Sequence, residues 1–233
     1  MTGIRKRIDV LCVEKCVAET RQKAQALIMA GEILIDGRVV DKPGAQVSIY
    51  AELQLKGEPL PFVSRGGIKL EAALESFGLT VTGLRCLDVG AATGGFTDCL
   101  LKRGASHVTA VDVGYGQIAW TLRQDPHVRV MERTNIRYVS PKDFEELFDF
   151  AVIDVSFISL RLVVPVVRTL LTENGRIVVL IKPQFEVGKG QVGKGGVVRD
   201  ERLHEKVIQS ITGFFEENHW TVAPVIPSPI LGP

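Results

Sequence analysis

Two kinds of apolar spacing alternate along the chain from about residue 84 onward. Short apolar runs predict buried β-strands, and stretches whose apolar residues recur every three or four positions predict amphipathic helices. Strands that alternate with helices favour an α/β fold, in which a doubly wound, mostly parallel sheet carries helices on both faces. The predicted strands cover 84–89, 107–113, 128–131, 148–155, 176–181 and 220–226, and the predicted helices cover 94–102, 117–123, 160–171 and 200–217.

Residues 1–58 follow a different pattern, which predicts a small α+β module. Helical spacing covers 7–17, and Thr20 can cap a second helix that Gly31 ends. The Asp-Gly pair at 36–37 follows a short apolar run and favours a tight hairpin. About fifty residues bury only a modest core, so this segment is interpreted as an appended module.

A segment rich in proline and glycine separates this module from the α/β pattern. It is expected to be stiff at Pro59 and Pro61 and flexible at Gly66 and Gly67. The predicted domains are therefore a module over 1–58, a linker over 59–68 and an α/β domain over 69–233.

Composition excludes several classes of protein. Of the 233 residues, 45% are hydrophobic and 24% are charged, which is typical of a globular protein and not of a disordered chain. The 28 Lys and Arg against 27 Asp and Glu give a net charge of +1, so any nucleic-acid surface must be a local patch. The longest apolar stretches, such as 177–181, are far shorter than the roughly 18 residues of a membrane span, and the N-terminus lacks the pattern of a secretory signal.

The four cysteines do not indicate a metal site. The sequence contains neither a Cys-x-x-Cys pair nor a histidine cluster, so zinc is not expected. Free, buried thiols in a reducing cytosol are the favoured interpretation, which predicts a cytoplasmic protein. The cysteines are Cys12, Cys16, Cys86 and Cys99.

A glycine-rich turn follows the predicted strand 84–89 and opens the next predicted helix. Small residues let a ligand approach the backbone, and a helix N-terminus offers free N–H groups. The turn lacks the G-x-G-x-x-G spacing of dinucleotide-binding proteins. Asp112, 22 residues after Gly90, can accept both ribose hydroxyls of an adenosine, and Asp88 can face a cationic or amino group. S-Adenosylmethionine has all of these groups, although an ordinary turn between strand and helix also needs glycine.

Three charged residues are placed where α/β domains bind their ligands. Asp154 and Lys182 each close an apolar strand, and carboxyl ends of parallel strands form the ligand-binding edge of such sheets. The two strands come from neighbouring βα units, so these side chains should meet. Lys69 follows the glycine pair and begins an amphipathic helix. The alternative interpretation is a structural ion pair at the rim of the sheet.

Several long stretches resemble one family. DVGAATGGFTD resembles the first motif of class I methyltransferases, in the variant of the FtsJ-like RNA 2′-O-methyltransferases, and residues 7–56 resemble the S4 RNA-binding domain. With SRGGIKLEAAL, FDFAVIDVSFISL and LIKPQFEVG, essentially the whole chain resembles the TlyA (hemolysin-A-like) family of ribosomal RNA methyltransferases. The resemblance implies a Rossmann-like class I methyltransferase domain, S-adenosylmethionine as cofactor, and methylation of a ribose 2′-hydroxyl on cytidines of small- and large-subunit RNA.

In the resembled family a Lys-Asp-Lys-Glu tetrad performs catalysis, and Lys69, Asp154 and Lys182 match its first three members. Lys182 would take the hydroxyl proton in a neutral form, favoured by desolvation or by the nearby Lys69, while Asp154 would orient it. The glutamate matches no residue, and Glu186, four residues after Lys182, has no support as a substitute. The resemblance therefore implies that the natural protein continues past Pro233 with this glutamate and an antiparallel strand. The predicted cofactor-binding residues are Asp88, Gly90, Ala91, Thr93, Gly94, Gly95, Phe96, Asp112, Val113, Asn135 and Asp154.

The N-terminal module is expected to dock the RNA. Residues 1–58 contain nine Lys and Arg against eight Asp and Glu, so RNA binding requires the cations to share one face. Arg21 and Lys23 open the second helix, whose free N–H groups add to a phosphate site, and a solvated helix surface is the alternative. Tyr50 is the only aromatic residue of the module, so phosphate and shape contacts should outweigh base stacking. The predicted RNA-binding residues are Arg5, Arg7, Arg21, Lys23 and Arg65.

These patterns favour a cytoplasmic enzyme that methylates ribosomal RNA or ribosomal subunits, with neither a metal nor a membrane as partner; its oligomeric state is left open, with a monomer allowed. Three alternatives stay in view. A non-catalytic RNA-binding or ribosome-assembly factor would keep the fold without the chemistry. A membrane-active hemolysin is suggested only by the name of the resembled family. A nicotinamide-dependent dehydrogenase is disfavoured by the glycine spacing.

Overall fold

Two units with separate hydrophobic cores make up the structure, a computed structural model that describes residues 4–15, 17–18, 20–56, 60–188, 190–193 and 195–230. The units span Met1–Leu60 and Pro61–Pro233. Cys12, Cys86 and Cys99 are buried free thiols, as the sequence predicts. Cys16 and Pro59 lie outside the described residues.

The described ranges contain neither a metal-binding cluster nor a helix that could span a membrane. No cluster of three or more histidine, cysteine or carboxylate side chains there could hold a metal ion. Among the helices of the same ranges, none combines the length and the apolar composition that a bilayer crossing requires.

The N-terminal unit combines two helices with short antiparallel strands around one core. The side-chain oxygen of Thr20 accepts a hydrogen bond from the backbone N–H of Lys23 and caps the second helix, as predicted. Gly31, at φ +69°, ends that helix in the left-handed conformation that glycine adopts most readily. The elements are β1 (Arg5–Arg7), α1 (Ile8–Glu14), α2 (Arg21–Met29), β2 (Ile33–Ile35), β3 (Arg38–Val39), β4 (Gln46–Ser48) and β5 (Leu53–Leu55).

Strand pairing shortens the first predicted helix of this unit. The pattern predicts a helix over 7–17, but β1 pairs with β4, and the helix begins only at Ile8. The hairpin at 36–37 is confirmed: Asp36 and Gly37 both have positive φ angles, as the tight turn between β2 and β3 requires. The strands form a pair, β1-β4, and a three-stranded sheet in the order β3-β2-β5.

The C-terminal unit is built on five parallel strands, which are β6 (Arg85–Val89), β7 (His107–Val111), β8 (Val128–Met131), β9 (Phe148–Ile153) and β10 (Leu171–Val179). Their order across the sheet is β10-β9-β6-β7-β8. The helices are α3 (Gly66–Ser76), α4 (Gly95–Lys102), α5 (Trp120–Arg123), α6 (Leu160–Thr169), α7 (Pro183–Glu186) and α8 (Glu201–Glu217). Because the pairs β6-β7 and β6-β9 place later strands on both sides of the first strand, the order reverses at β6.

Different helices cover the two faces of this sheet. Leu87 and Val89 of β6 belong to a core cluster with buried residues of α6 and α8. Cys86, on the opposite face of the same strand, belongs to a second cluster with α3 and α4. The predicted doubly wound α/β architecture with a small N-terminal α+β domain is therefore confirmed.

The prediction of a last strand over 220–226 is wrong. The segment has no regular secondary structure and pairs with no strand among the described residues. Its first residue, Trp220, packs its ring edge-on against Phe215, and Arg168 lies 4.6 Å from the ring centroid. Side-chain packing therefore anchors this apolar segment without the backbone ladder that defines a strand.

Two further expectations are corrected. The strand predicted over 176–181 to be buried begins at Leu171 and is only partly buried, because β10 is the last strand at its side of the described sheet. Gly66 and Gly67, expected to be flexible, form the first turn of α3. A side chain on Gly67 would overlap the buried ring of Phe62, so close packing explains this glycine.

Candidate active site

The glycine turn joins β6 to α4 at the carboxyl edge of the sheet and fits its neighbours closely. Gly90 has φ +86°, and a Cβ there would lie 2.5 Å from the carbonyl oxygen of Asp154. Gly94 has φ +91°, and a Cβ there would overlap the side chain of Leu122. The turn therefore brings backbone within reach of both the segment after β9 and α5, which only glycine allows.

Asp112 closes β7 and ties the glycine turn to the next loop. Its Oδ2 accepts a hydrogen bond from Ala92 N–H at 2.8 Å, and its Oδ1 accepts one from Gly114 N–H at 2.6 Å. Each carboxylate oxygen keeps a second lone pair, so the group can still accept hydroxyl donors from a ligand. The pocket beside it is lined by Ala91, Ala92, Ala110, Asp112, Gly114, Gln117, Ile118, Val130 and Glu132.

The other predicted cofactor residues lie in four different places. Val113 is exposed after β7, and Asn135 caps a short 3₁₀ turn by accepting from Arg137 N–H. Thr93 is exposed on the turn itself, and Gly95 packs so closely on α3 that a Cβ would overlap Ser64. The ring of Phe96 belongs to the core cluster of α3 and α4, not to the cluster that contains the pocket residues Ala91 and Ile118.

Asp88 is fully buried behind the glycine turn. Its Oδ2 accepts a hydrogen bond from the Thr97 hydroxyl at 2.7 Å, and its Oδ1 has no partner among the described residues. Burial raises the pKa of this carboxyl to about 7, against the hydrogen bond from Thr97, which lowers it. Asp88 therefore supports the turn from inside the protein.

Asp88 predicts a pH-dependent stability. Its carboxyl titrates near 4 in the unfolded chain and near 7 in the folded protein, so between these values only the folded state holds the proton. Stability should therefore fall as the pH rises from about 4 to about 7. Asp88→Asn should remove this fall in the free energy of unfolding. The fall amounts to a few kcal/mol, because each unit of pKa difference between the folded and unfolded states corresponds to about 1.4 kcal/mol. Urea unfolding at pH 5 and pH 8 measures this change in stability, and Glu216→Gln, at an exposed carboxylate, is the control. If Asp88→Asn shows the same pH dependence as the natural protein, Asp88 is not the group responsible.

The three charged residues predicted to carry chemistry meet at the same edge of the sheet. Lys182 Nζ lies 2.5 Å from Asp154 Oδ1, and Lys69 Nζ lies 3.9 Å from Asp154 Oδ2. Each side chain is only about a fifth exposed, at 22% for Lys69, 18% for Asp154 and 20% for Lys182. Lys182 also donates a hydrogen bond to the Ser156 hydroxyl at 3.0 Å. One carboxylate is thus shared by two lysine amines in a partly desolvated cleft.

This cluster adjoins the glycine turn. The N–H of Asp154 donates to the carbonyl of Val89 at 2.9 Å, and the Asp154 carbonyl packs against Gly90. Because β9 is the neighbour of both β6 and β10, its end lies between the glycine turn and Lys182. A ligand bound over the turn would therefore lie close to the two lysines.

Comparison with known proteins shows the family to which the chain belongs. The sequence model of the FtsJ-like methyltransferase family matches residues 62–233, and that of the S4 domain matches residues 6–51. The chain belongs to the FtsJ-like methyltransferase family. The Rossmann-like class I methyltransferase fold and the S4 domain implied by the resemblance are thereby confirmed.

Full-length relatives share both parts. The 16S/23S rRNA (cytidine-2'-O)-methyltransferase TlyA of Mycobacterium tuberculosis is 47% identical over 230 residues, which cover 98% of this chain and 86% of that protein. Hemolysin A of Brachyspira hyodysenteriae is 38% identical over 225 residues, or 94% of this chain and 93% of that protein. The solved structure of a protein from Streptococcus thermophilus that is named as a hemolysin has a TM-score of 0.76, and its sequence is 48% identical. The match covers 98% of this chain and 84% of that one. The resemblance to the TlyA family is confirmed.

The cofactor of this FtsJ-like chain is S-adenosylmethionine, and the described residues fit it. The pocket beside Asp112 offers apolar walls from Ile118 and Val130 for a purine and a carboxylate for ribose hydroxyls. Because Gly90 has no Cβ, the Asp154 carbonyl packs directly against the glycine turn, which keeps the end of β9 next to that turn.

In the S4 unit, a buried carboxylate brings two of the predicted RNA-binding arginines together. Arg7 donates to both oxygens of Asp9, at 3.0 and 2.8 Å, and Arg21 Nε donates to Asp9 Oδ2 at 2.9 Å. The hydrogen bonds from Arg7 hold the pKa of the Asp9 carboxyl well below its usual range. Arg5 and Lys23 are exposed in the same unit, whereas Arg65 is exposed at the start of α3 in the other unit.

Sequence reasoning missed several residues of the site. Ser156 and Phe157 follow Asp154, and Phe157 has φ +63° with its side chain 92% exposed. Glu186 accepts hydrogen bonds at the start of α6. The phenylalanine three residues after the strand-end aspartate in FDFAVIDVSFISL is a signal from which Phe157 could have been placed at the site. No spacing rule connects Glu186 with Leu160, which lies 26 positions earlier.

Proposed function

We propose that the protein transfers a methyl group from S-adenosylmethionine to the ribose 2′-hydroxyl of cytidine in ribosomal RNA. The observation that carries the proposal is the Lys69–Asp154–Lys182 cluster beside the glycine turn. An FtsJ-like domain joined to an S4 domain supports an RNA substrate. The names of the relatives from Mycobacterium tuberculosis and Campylobacter jejuni, the latter 34% identical over 82% of this chain, support cytidine and the ribose oxygen.

In this proposal the cofactor is held from its adenosine end. S-Adenosylmethionine, when bound, supplies a methyl group that a sulfonium centre makes electrophilic. Asp112 accepts the ribose hydroxyls, and Ala91, Ile118 and Val130 enclose the purine. Val113, Asn135 and the turn from Gly90 to Gly95 complete the predicted contacts, with Asp88 supporting the turn from beneath.

The lysines act on the RNA hydroxyl. A neutral Lys182 would accept the 2′-hydroxyl proton as the oxygen attacks, because a ribose hydroxyl is a poor nucleophile until it loses that proton. Asp154 holds the Lys182 amine in place through the 2.5 Å contact, and Lys69 places a cation beside the other carboxylate oxygen. Much of the rate would come from alignment, since the transfer removes the sulfonium charge and creates no large new charge there.

The S4 unit docks the substrate in this proposal. Arg7 and Arg21 converge on Asp9, so their remaining N–H groups can contact phosphates with little loss of side-chain freedom. Exposed Phe157 beside the catalytic cluster offers a face on which an unstacked base can lie. The partners would be ribosomal RNA or ribosomal subunits in the cytoplasm.

The decisive experiment is transfer of tritiated methyl groups from labelled cofactor to ribosomal RNA by the full-length protein. The modified nucleotide is then identified by nuclease digestion and mass spectrometry. The proposal expects 2′-O-methylcytidine. A methyl group on a base, or none on RNA, contradicts it.

Asp112 tests the cofactor site directly. Asp112→Ala should weaken binding of S-adenosylhomocysteine by about 1–3 kcal/mol, because ribose hydroxyls would be buried without an acceptor and two loop N–H groups would lose theirs. Titration calorimetry measures the change, and exposed Glu145→Ala serves as the control. Unchanged affinity in a folded Asp112→Ala protein removes Asp112 from the site.

A further inference from the structure

We propose that Glu186 is a positioning residue, which ties the segment after β10 to the start of α6 and thereby holds Lys182 against Asp154. This inference rests on the proposed function, because it concerns the same catalytic lysine. It assigns Glu186 a role separate from proton transfer.

Both oxygens of the Glu186 carboxylate are used at the N-terminus of α6. Oε1 accepts from the backbone N–H of Leu160 at 2.8 Å, and Oε2 accepts from the Ser159 hydroxyl at 2.6 Å. The first N–H groups of a helix have no partner within the helix, and a negative charge there is favoured by the helix dipole. Leu160, Val163 and Val164 are buried in the core, so α6 is a fixed support for this contact.

Glu186 is one of three contacts that join the same two segments. Lys182 meets Asp154 and Ser156, the ring of Phe185 lies 5.0 Å from that of Phe157, and Glu186 meets Ser159 and Leu160. The contacts therefore follow the same order along both segments. Position 182 meets 154 and 156, position 185 meets 157, and position 186 meets 159 and 160. The segment after β10 is fastened at its catalytic end and at its far end.

The fastening matters because α7 is very short. Lys182 is the N-cap residue of this helix, which has only the four residues Pro183–Glu186. One helical turn has little stability of its own. Without the hydrogen bonds of Glu186, only the contacts of Lys182 and Phe185 hold the turn, so the turn and the Lys182 amine gain freedom to move. A displacement of about 1 Å at a reacting group can cost roughly 10²-fold in rate.

The role of Glu186 is distinguished from acid–base chemistry by two substitutions. A glutamine can accept from Leu160 N–H through its oxygen and donate to the Ser159 hydroxyl through its amide, so Glu186→Gln keeps both contacts without the charge. Glu186→Ala loses both. We expect Glu186→Ala to lower kcat for methyl transfer about 10–100-fold with KM for RNA and cofactor affinity unchanged within about threefold. Glu186→Gln should restore kcat to within a few-fold of the natural protein.

Asp143→Ala is the matched control. Asp143 accepts hydrogen bonds from the backbone N–H and the hydroxyl of Ser140 at 2.7 and 3.0 Å, so its loss removes contacts of the same kind before β9, at the opposite end of that strand from Asp154. It should lower the melting temperature as much as Glu186→Ala without lowering kcat. If Glu186→Ala does not fold, Ser159→Ala removes one of the two contacts and should lower kcat several-fold at constant KM.

Three results would overturn the inference. Glu186→Gln as inactive as Glu186→Ala would show that the charge or the proton matters, not the position. Full activity of folded Glu186→Ala or Ser159→Ala would show that the fastening is unnecessary. Loss of cofactor affinity in step with kcat would indicate general damage to the fold.

A readout without activity separates this inference from the proposed function. Hydrogen exchange followed by mass spectrometry should show faster exchange of residues 180–187 in Glu186→Ala, and exchange as in the natural protein in Glu186→Gln. If the natural protein transfers no methyl group to a 2′-oxygen, the proposed function fails while this exchange still tests the fastening. Unchanged exchange in Glu186→Ala would refute the fastening whatever the activity.

Discussion

Lys182→Ala is expected to lower methyl transfer by at least about 10²–10⁴-fold, the usual contribution of a positioned general base. Loss of alignment by the same side chain would add to this effect. Cofactor affinity should stay within a few-fold, because the pocket beside Asp112 contains no atom of Lys182. Tritium transfer to ribosomal RNA measures the rate, and calorimetry with S-adenosylhomocysteine measures the affinity.

Lys182→Arg separates proton removal from charge. An arginine can keep an ion pair with Asp154, but its guanidinium does not lose a proton at accessible pH. The variant should therefore be nearly as inactive as Lys182→Ala. Lys206→Ala, which removes an exposed lysine of α8, is the control and should be fully active. An active Lys182→Arg enzyme would show that the site needs a cation and not a base.

The position of Lys182 could be anticipated because it depends on strand order. Apolar runs marked the strands that became β9 and β10, and consecutive βα units predicted that they are neighbours. Charges that close neighbouring parallel strands must lie at the same edge, and Lys182 and Asp154 do. The same rule accounts for the positions of Gly90 and Asp112, which follow β6 and β7, since these two strands pair in parallel.

Polar contacts between helices could not be anticipated in this way. Glu186 meets Leu160 across 26 residues, and Asp9 meets Gln25 across 16, at positions that no hydrophobic period specifies. Asp9 lies next to Ile8 at the start of an apolar helix face, so a polar partner could have been suspected but not named. Such contacts depend on how the helices are placed in three dimensions, which spacing along the chain does not determine.

Local composition alone led to two wrong predictions. Residues 220–226 have the β-branched pattern of a strand, but a strand requires the backbone of a neighbour, and Trp220 is held by its ring. Gly66 and Gly67 have the composition of a hinge, but the ring of Phe62 fills the space beside Gly67. In both cases tertiary packing overrides local preference.

Removing residues 1–60 is expected to leave a folded domain that binds S-adenosylhomocysteine but has lost at least about 10²-fold in affinity for ribosomal RNA at low salt, since phosphate contacts dominate such affinity. The two units have separate cores, with Ile8, Ile28 and Ile33 in one and Phe62 and Leu70 in the other. The cut must precede Pro61 because Phe62 is buried in the second unit. Filter binding over a range of salt concentrations measures the loss, and calorimetry checks the cofactor site.

The salt dependence shows which contacts were lost. Each phosphate contact removed should reduce the slope of log affinity against log salt by about 0.7–0.9. The intact chain with Arg7→Ala and Arg21→Ala should show part of this reduction, because these two side chains converge on Asp9 while keeping N–H groups for RNA. Lys56→Ala, at an exposed lysine of the same unit, is the control. If the shortened protein binds ribosomal subunits as tightly as the whole chain and with the same slope, the RNA-docking surface lies in the methyltransferase unit and the role proposed for the S4 unit is wrong.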